Sequence, residues 1–183
     1  MRALWLVIET LGSLLSIACV LRAYAHRIHL NPRNPISVFL AALTDWLVRP
    51  LRRLIPASPA MDWASVLAAL LVAMVTATLF YLIVGGVQVP NAGAVLFVAC
   101  LWLIRWTLWL VMGIVIVYAI LSWVNPYAPL APALSQLASP LLAPFRRFVP
   151  LIGGVDLSPL VLIIVVQVLL MLINPVSLPM MLR

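Results

Sequence analysis

The sequence predicts an all-α membrane protein with four transmembrane helices, arranged as two parallel repeats of helix, amphipathic loop and helix. Of the 183 residues, 66% are hydrophobic and only 8% are charged, whereas a soluble domain carries about 25% charged residues. Several apolar stretches approach the roughly 20 residues that a helix needs to cross a bilayer. The second half of the chain also repeats the first.

The repeat becomes visible when the chain is shifted against itself by 94 residues. PLRRLIPASPAMD at 50–62 then aligns with PFRRFVPLIGGVD at 144–156. Because each copy contains two spans, both copies enter the membrane in the same orientation. We therefore divide the chain into a first repeat, 1–86, and a second repeat, 87–183.

The four predicted spans cover about residues 3–21, 63–84, 106–123 and 157–173. The third lies in an apolar run, 92–123, that would be about 48 Å long as one straight helix, against a hydrocarbon core of about 30 Å. A charge at mid-membrane costs about 2.5–3.5 kcal/mol, so we place Arg105 at the headgroup level. We expect a division of the run there, with the residues before Arg105 forming an interfacial helix or a kinked extension.

The first span has an alternative interpretation as a signal peptide that ends at the cleavage-like sequence Ala23-Tyr24-Ala25. Glu9 interrupts its apolar region, and the repeat requires this helix as the counterpart of the third span. These two observations favour a retained transmembrane helix.

Between the spans of each repeat, the spacing of apolar residues predicts an amphipathic helix, at about 35–49 and about 130–143. Asn34 can cap the first of them, and Pro35 suits its first turn. We expect Pro50 and Pro144 to end these helices, because proline removes a backbone donor and clashes with the preceding turn. The predicted apolar stripe of the first helix comprises Ile36, Phe39, Leu40, Leu43 and Leu47, and the opposite side comprises Ser37, Thr44, Asp45 and Arg49.

The basic charge consists of eleven arginines against four acidic residues. Eight of the arginines lie in the loops 22–62 and 125–156. The positive-inside rule therefore places these loops in the cytoplasm and both termini outside, as in a multi-pass protein of the bacterial inner membrane.

Two arginine pairs, Arg52-Arg53 and Arg146-Arg147, follow the prolines at headgroup depth. Each arginine near an anionic surface contributes about 1 kcal/mol of attraction, and guanidinium groups bind phosphate or carboxylate bidentately. We expect these four residues to dock on anionic lipid headgroups, or on a membrane-protein partner or a second copy of the chain. Alternatively, they only fix topology during insertion. Arginines beside apolar spans favour lipid over nucleic acid, so no nucleic-acid partner is expected.

Polar residues at the span ends and inside the spans are few. Asp62 and Asp156 precede equivalent spans and are interpreted as helix-start caps. Glu9 and Arg105 are predicted at similar depths, where they can form an intramembrane pair. Gln167 lies in the middle of the last span and is expected to make a polar contact within the bundle.

No catalytic, metal or cofactor site is predicted. His26 and His29 could hold a metal or haem in principle, but no third ligand occurs at a suitable spacing. Cys19 and Cys100 have no partner at metal-ligand or CxxC spacing.

Three segments resemble the two repeats of a YggT family membrane protein, a family related to the YlmG proteins of bacteria and plastids. They are NPISVFLAALTDWLVRPLRRLIP, YAILSWVNP and LASPLLAPFRRFVPLIGGVDLSPLVLIIVVQVLL. Tyr118 stands where the second repeat of many members has arginine. Aligning Tyr118 with Arg22 requires a gap of two residues in the hairpin.

The resemblance implies a protein without an enzymatic reaction. Family members are associated with tolerance of osmotic or extracytoplasmic stress and sometimes with ion uptake, and YlmG relatives with cell division, nucleoid distribution and cytochrome cofactor assembly. Two functions follow: a scaffold or assembly factor, or a component of an osmotic-response ion transport system with a pathway between the repeats. An ion pathway usually needs several polar residues at mid-membrane. The spans offer little beyond Gln167, so the scaffold is favoured.

Overall fold

The computed structural model describes residues 2–56, 58, 60–83, 91–125, 127–148 and 156–181, with the backbone alone at residues 2 and 174–181. These residues form six α-helices and no strand. The helices are α1 (Arg2–Arg27), α2 (Pro35–Leu54), α3 (Trp63–Ile83), α4 (Ala92–Val124), α5 (Ala131–Arg146) and α6 (Ser158–Met181).

Three of these helices are long and apolar enough to cross a membrane: Ala3–Arg27 in α1, Trp63–Ile83 in α3 and Ala92–Val124 in α4. The described apolar part of α6, Ser158–Ile173, is shorter. The structure therefore supports an all-helical membrane protein, and the fourth span stays a prediction.

α4 is continuous over 33 residues, so residues 92–105 extend the third span, which is one of the two predicted alternatives, and the other, a separate interfacial helix, is wrong. Ala92–Val124 contains no proline to interrupt the backbone hydrogen bonds. Early residues of α4 also pack against α3: Val95, Val98 and Ala99 are buried in the same cluster as Ala73 and Ala77. Packing on α3 and the absence of a helix breaker both favour an unbroken helix.

The connecting helices α2 and α5 extend beyond their prolines, so the prediction that Pro50 and Pro144 end them is wrong. A proline inside a helix removes one hydrogen bond, but contacts on both sides can keep the next turn helical. In α2, Val48 is fully buried before Pro50, and Arg52 is bound to Asp62 after it. The arginine pairs therefore lie at the ends of helices, where positive charge complements the helix dipole.

The start of α2 confirms the predicted cap. The Asn34 side chain accepts a hydrogen bond from the Ile36 backbone at 3.0 Å, and Pro35 is the first helical residue. Thr44 and Asp45, which were predicted on the side opposite the apolar stripe, lie on the face that packs against the protein: Thr44 is buried and Asp45 is mostly covered. The apolar residues that are exposed instead include Phe39, Leu43 and Trp46.

The chain forms two compact units, Met1–Thr107 with Ile173–Arg183, and Leu108–Leu172. In the first unit α1, α2 and α3 contact one another. A small residue on α1 allows α1 and α3 to approach each other closely, because a Cβ atom added to Gly12 would lie 2.3 Å from Thr76 Oγ1. The Ser16 hydroxyl donates to the Ala69 carbonyl at 3.1 Å, so a polar contact also joins these helices.

Candidate functional site

The end of α2 is bound to the start of α3 through an arginine and an aspartate. Arg52, in the last turn of α2, donates from Nη2 to Oδ2 of Asp62, the residue before α3. The Ser65 hydroxyl donates to the same oxygen at 2.7 Å. The Asp62 side chain has 0% exposed surface, whereas the Arg52 side chain is 37% exposed. We call this arrangement, and its counterpart in the second repeat, an Arg–Asp clasp.

Asp62 is ionised in this site although it is buried. Burial opposes ionisation, but the hydrogen bonds from Arg52 and Ser65 outweigh it and hold the pKa of Asp62 below its usual value. Its second oxygen, Oδ1, and the Nε of Arg52 are both buried and lack hydrogen-bond partners among the described residues. This clasp is therefore only partly satisfied by the surrounding protein.

The second repeat contains the equivalent clasp. Arg146, the last residue of α5, donates from Nε to Asp156 Oδ2 at 2.9 Å and from Nη2 to the Tyr118 hydroxyl at 3.0 Å. Asp156 Oδ1 accepts from the Ser158 backbone at 2.9 Å, which gives α6 a side-chain cap. This carboxylate is 26% exposed, so it is more open to solvent than Asp62.

The aspartate of the second clasp has a lowered pKa, as Asp62 has in the first. Burial opposes ionisation of Asp156, yet hydrogen bonds from Ser158 and Arg146 hold its pKa below the usual value. Burial likewise disfavours the charged form of Arg146, but its hydrogen bonds to Asp156 and Tyr118 prevail and raise its pKa. Both clasps are therefore ionic pairs at neutral pH.

The other arginine of each pair behaves differently. Arg53 and Arg147 are exposed, and neither makes a hydrogen bond or ion pair with any residue that the structure describes. The four arginines predicted to dock thus separate into two roles. Arg52 and Arg146 are bound to aspartates, and Arg53 and Arg147 remain accessible to a ligand.

An ionic network surrounds Asp45 of the first repeat and was not predicted from the sequence. Arg22 Nη1 lies 2.8 Å from Asp45 Oδ1 and donates to the Thr44 hydroxyl at 2.7 Å. Arg49 Nη2 lies 2.7 Å from the other Asp45 oxygen. The spacing of Asp45 and Arg49 by four residues was a usable signal, but nothing in the sequence pointed to Arg22. In the second repeat, the aligned residues are Tyr118, Ala138, Ser139 and Ala143.

The two histidines have structural positions. His29 has a φ of 54°, and its backbone donates to the His26 carbonyl at 3.1 Å while Leu30 donates to Ala25 at 3.0 Å. This is the pattern of a Schellman cap, in which the left-handed residue ends the helix. His26 Nε2 lies 3.0 Å from the Ser58 carbonyl. In the part of the chain that the structure describes, no three potential metal ligands converge.

The remaining predicted residues lie within the long helices. Arg105 Nη2 donates to Glu9 Oε1 at 3.4 Å, so the structure brings this pair together at a long hydrogen-bond distance. Gln167 is exposed on α6 and has no hydrogen-bond partner among the side chains described. The predicted polar contact of Gln167 within the bundle therefore stays a prediction.

Comparison with known proteins identifies the family. The profile of the CCB3/YggT family matches residues 1–83 and 97–177. The chain belongs to the CCB3/YggT family. The YggT protein of Escherichia coli K12 is 32% identical over 171 residues, covering 92% of this chain and 88% of that protein. A protein from the proC 3' region of Vibrio alginolyticus is 34% identical over 168 residues, covering 91% of each. No solved structure matches.

Family membership confirms the resemblance drawn from the repeated segments. In this YggT-family chain, PLRRLIP and PFRRFVP each place one arginine in a clasp and leave the next one exposed. All four acidic residues of the chain form ion pairs with arginine. The geometry is therefore that of fixed helix ends carrying an excess of positive charge.

Proposed function

We propose that this YggT-family protein is a non-enzymatic scaffold or assembly factor of the bacterial inner membrane. It docks on anionic lipid headgroups, or on the acidic surface of a membrane-protein partner or second copy, through Arg53 and Arg147. The observation that carries the proposal is the same division of roles in both repeats. One arginine fixes the helix end, and its neighbour is exposed and has no partner among the residues that the structure describes.

The clasp supports docking because it restricts the neighbouring arginine. Rigid attachment reduces the entropy that is lost when a ligand binds. The clasped Arg52 and Arg146 hold the backbone of the next residue at a defined position, and only the side chain of that residue remains to be ordered. A planar guanidinium can then bind a phosphate or carboxylate through two parallel hydrogen bonds.

The exposed side of α2 supports a membrane surface as one partner. Phe39, Leu43 and Trp46 are all exposed, and with Arg53 they fall within an arc of about 80° at 3.6 residues per turn. A helix with apolar residues and arginine on one face is suited to lie in the headgroup region. The expected orientation has the loops in the cytoplasm and both termini outside.

The acidic residues support a role without catalysis. General acid–base chemistry most often uses a histidine or a carboxylate that can reach a substrate. Every acidic side chain of the chain is paired with an arginine, and His26 is bound to a backbone carbonyl. An association with osmotic or envelope stress follows from the family resemblance and is part of the proposal.

Crosslinking in native membranes tests this function. A photoreactive residue in place of Leu54 or Phe148, the exposed neighbours of the two arginines, should crosslink to phospholipid or to one stoichiometric protein partner, and the same residue at position 27 serves as the control. Crosslinks at positions 54 and 148 that match the control in identity and yield would overturn the docking role. Recovery of the chain itself alone would favour the transport component instead, unless the crosslinked copies form a defined oligomer.

A charge-preserving substitution separates docking from topology. Arg53→Lys with Arg147→Lys keeps the charge but removes the forked geometry. We expect the double variant to insert in the wild-type orientation and to lose crosslinking partners. If the variant complements a deletion strain under osmotic shock as well as wild type does, the two arginines only set topology.

A further inference from the structure

A cavity of about 380 Å³ lies beside α1 and α2 in the first repeat. Its lining includes two arginines and a histidine, Arg22, Arg52 and His26, together with Ser37 and Ala41. Its volume falls within the range of about 300–1,000 Å³ that is typical of small-molecule sites. This cavity is separate from the exposed arginines at the helix ends.

The second repeat has the equivalent cavity, with a volume of about 270 Å³. Sequence alignment with the two-residue hairpin gap places Tyr118 and Ser122 opposite Arg22 and His26. Without the gap, beyond the hairpin, the remaining lining residues also align. They are Ala131, Pro132 and Ser135, opposite Ser37, Val38 and Ala41. All five lining residues of the second cavity therefore have counterparts in the first, but Tyr118 is neutral where the first cavity has Arg22.

The donors around the first cavity are incompletely used. Among the described residues, Arg22 contacts Asp45 and Thr44 through Nη1, so these contacts leave the N–H groups of Nε and Nη2 for another acceptor. Arg52 binds Asp62 through Nη2, which leaves the N–H groups of Nη1. Its Nε is buried and is not among the donors that a ligand in the cavity can reach. The cavity therefore borders guanidinium groups that can still donate.

The charge around the cavity is positive. Arg22 and Arg49 share one carboxylate, Asp45, while Arg52 binds the other, Asp62. His26 also lines the cavity, and its Nε2 donates to the Ser58 carbonyl, since a carbonyl can only accept. Three arginines against two carboxylates favour an anion and oppose a cation.

We propose that the first-repeat cavity binds a phosphate group between Arg22 and Arg52, and that the second-repeat cavity does not. Phosphate offers several acceptor oxygens in a geometry that matches the guanidinium fork. The phosphate belongs either to a phospholipid headgroup or to a soluble phosphate ester. The site does not depend on docking by Arg53 and Arg147, so either proposal can fail alone.

The test measures thermal unfolding of the full chain in detergent, followed by the fluorescence of its seven tryptophans. The probes are inorganic phosphate, glycerol 1-phosphate and dihexanoyl phosphatidylglycerol, each compared with sodium chloride at matched ionic strength. We expect at least one probe to raise the unfolding temperature saturably. Saturation by the soluble phosphates assigns a free ligand, and saturation by phosphatidylglycerol alone assigns a lipid headgroup.

Three variants locate the site. Arg22→Gln should weaken the apparent affinity at least tenfold, and Ala41→Phe should do the same by filling the cavity without changing any charge. Arg33→Gln is the matched control, because it removes one positive charge from an exposed residue of the same hairpin. If Arg22→Gln does not fold, Ala41→Phe against Arg33→Gln decides the result.

Several results overturn the proposal. They are the absence of a saturable shift beyond that of sodium chloride, wild-type affinity in Ala41→Phe, and an equal loss in Arg33→Gln and Arg22→Gln. A wild-type response in Arg53→Gln with Arg147→Gln shows that the cavity, and not the docking arginines, binds the probe. Loss of the response in that double variant while Ala41→Phe binds normally assigns the phosphate to the helix ends instead.

Discussion

The two repeats contain the same clasp in different surroundings. In the first repeat, Asp62 is fully buried, and Arg22 of the Asp45 network lines the same cavity as Arg52 of the clasp. In the second repeat, Asp156 is partly exposed and a tyrosine hydroxyl replaces the additional ionic contacts. In both repeats, the clasp joins a connecting helix to the helix that follows it. What differs around it gives each repeat its own chemistry.

Glu9 and Arg105 occupy equivalent positions in the two repeats. When the repeats are aligned with the two-residue gap in the hairpin, the residue that corresponds to Glu9 is Arg105. These two positions carry opposite charges, and Arg105 Nη2 lies 3.4 Å from Glu9 Oε1. Duplication of one helix, followed by reversal of one charge, would produce a complementary pair at this depth.

Removing the clasp arginine should produce the largest difference between the repeats. Arg52→Ala leaves a buried carboxylate without its partner, for which we expect a loss of about 3–5 kcal/mol in the free energy of unfolding. Arg146→Ala should cost about 1 kcal/mol, because solvent reaches Asp156 and screens the loss. Denaturant unfolding of the detergent-solubilised chain measures both values. Arg53→Ala is the neutral control, and equal losses in the two repeats would contradict the difference in burial.

A methyl group on the first helix of each repeat gives the next largest contrast. Gly12→Ala places Cβ 2.3 Å from Thr76 Oγ1, and such overpacking costs about 1–3 kcal/mol. Gly113→Ala meets no atom within 4 Å, so it should stabilise α4 by about 0.5–1 kcal/mol through reduced backbone entropy. Unfolding temperatures of the two variants test this, and destabilisation by Gly113→Ala would show an unrecognised contact there.

Acid should weaken both clasps. The folded-state pKa values of Asp62 and Asp156 are lowered, so their contribution to the free energy of unfolding is fully present above the unfolded aspartate pKa of about 3.9. This stabilisation is lost as the pH falls through the lowered pKa values of the folded state. Unfolding temperatures between neutral pH and about pH 3 should therefore fall more steeply for wild type than for Asp62→Asn or Asp156→Asn. Parallel curves for all three proteins would mean that the clasps do not control acid stability.

The smallest expected effect concerns the tyrosine of the second repeat. Tyr118→Phe removes the exposed hydrogen bond to Arg146, and a loss of about 0.5 kcal/mol is expected from the lower range for hydrogen bonds. Arg146 stays charged near neutral pH because its pKa is raised. The loss of stability in Tyr118→Phe should therefore be the same at about pH 6 and about pH 8. A loss as large as that of Arg146→Ala would mean that the tyrosine, and not Asp156, holds the arginine.

The membrane class and the positions of the repeated motifs could be predicted from the sequence. Asn34 and Pro35 define the start of α2 through local backbone chemistry, and the structure confirms it. The same rule failed at Pro50 and Pro144, because tertiary contacts keep the last turn helical. Local rules describe what a residue prefers, and distant partners decide whether the preference prevails.

The candidate site was predictable only in part. The periodicity of apolar residues separates the faces of α2, but it does not say which face packs inward when both carry apolar residues. In the structure, Thr44 and Asp45 are covered, while Phe39, Leu43 and Trp46 are exposed. The division within each arginine pair depends on side-chain geometry at the helix end, and adjacent identical residues carry no signal that would distinguish them.

Each clasp also affects the order in which the protein can assemble during synthesis. The paired residues are ten positions apart in the chain, and a loop of about ten residues closes in about 10–100 ns. Translation adds only about 5–20 residues per second. The joint between a connecting helix and the helix that follows can therefore close as soon as its aspartate is free to move. The first repeat can complete its joint while the ribosome has not yet made the second.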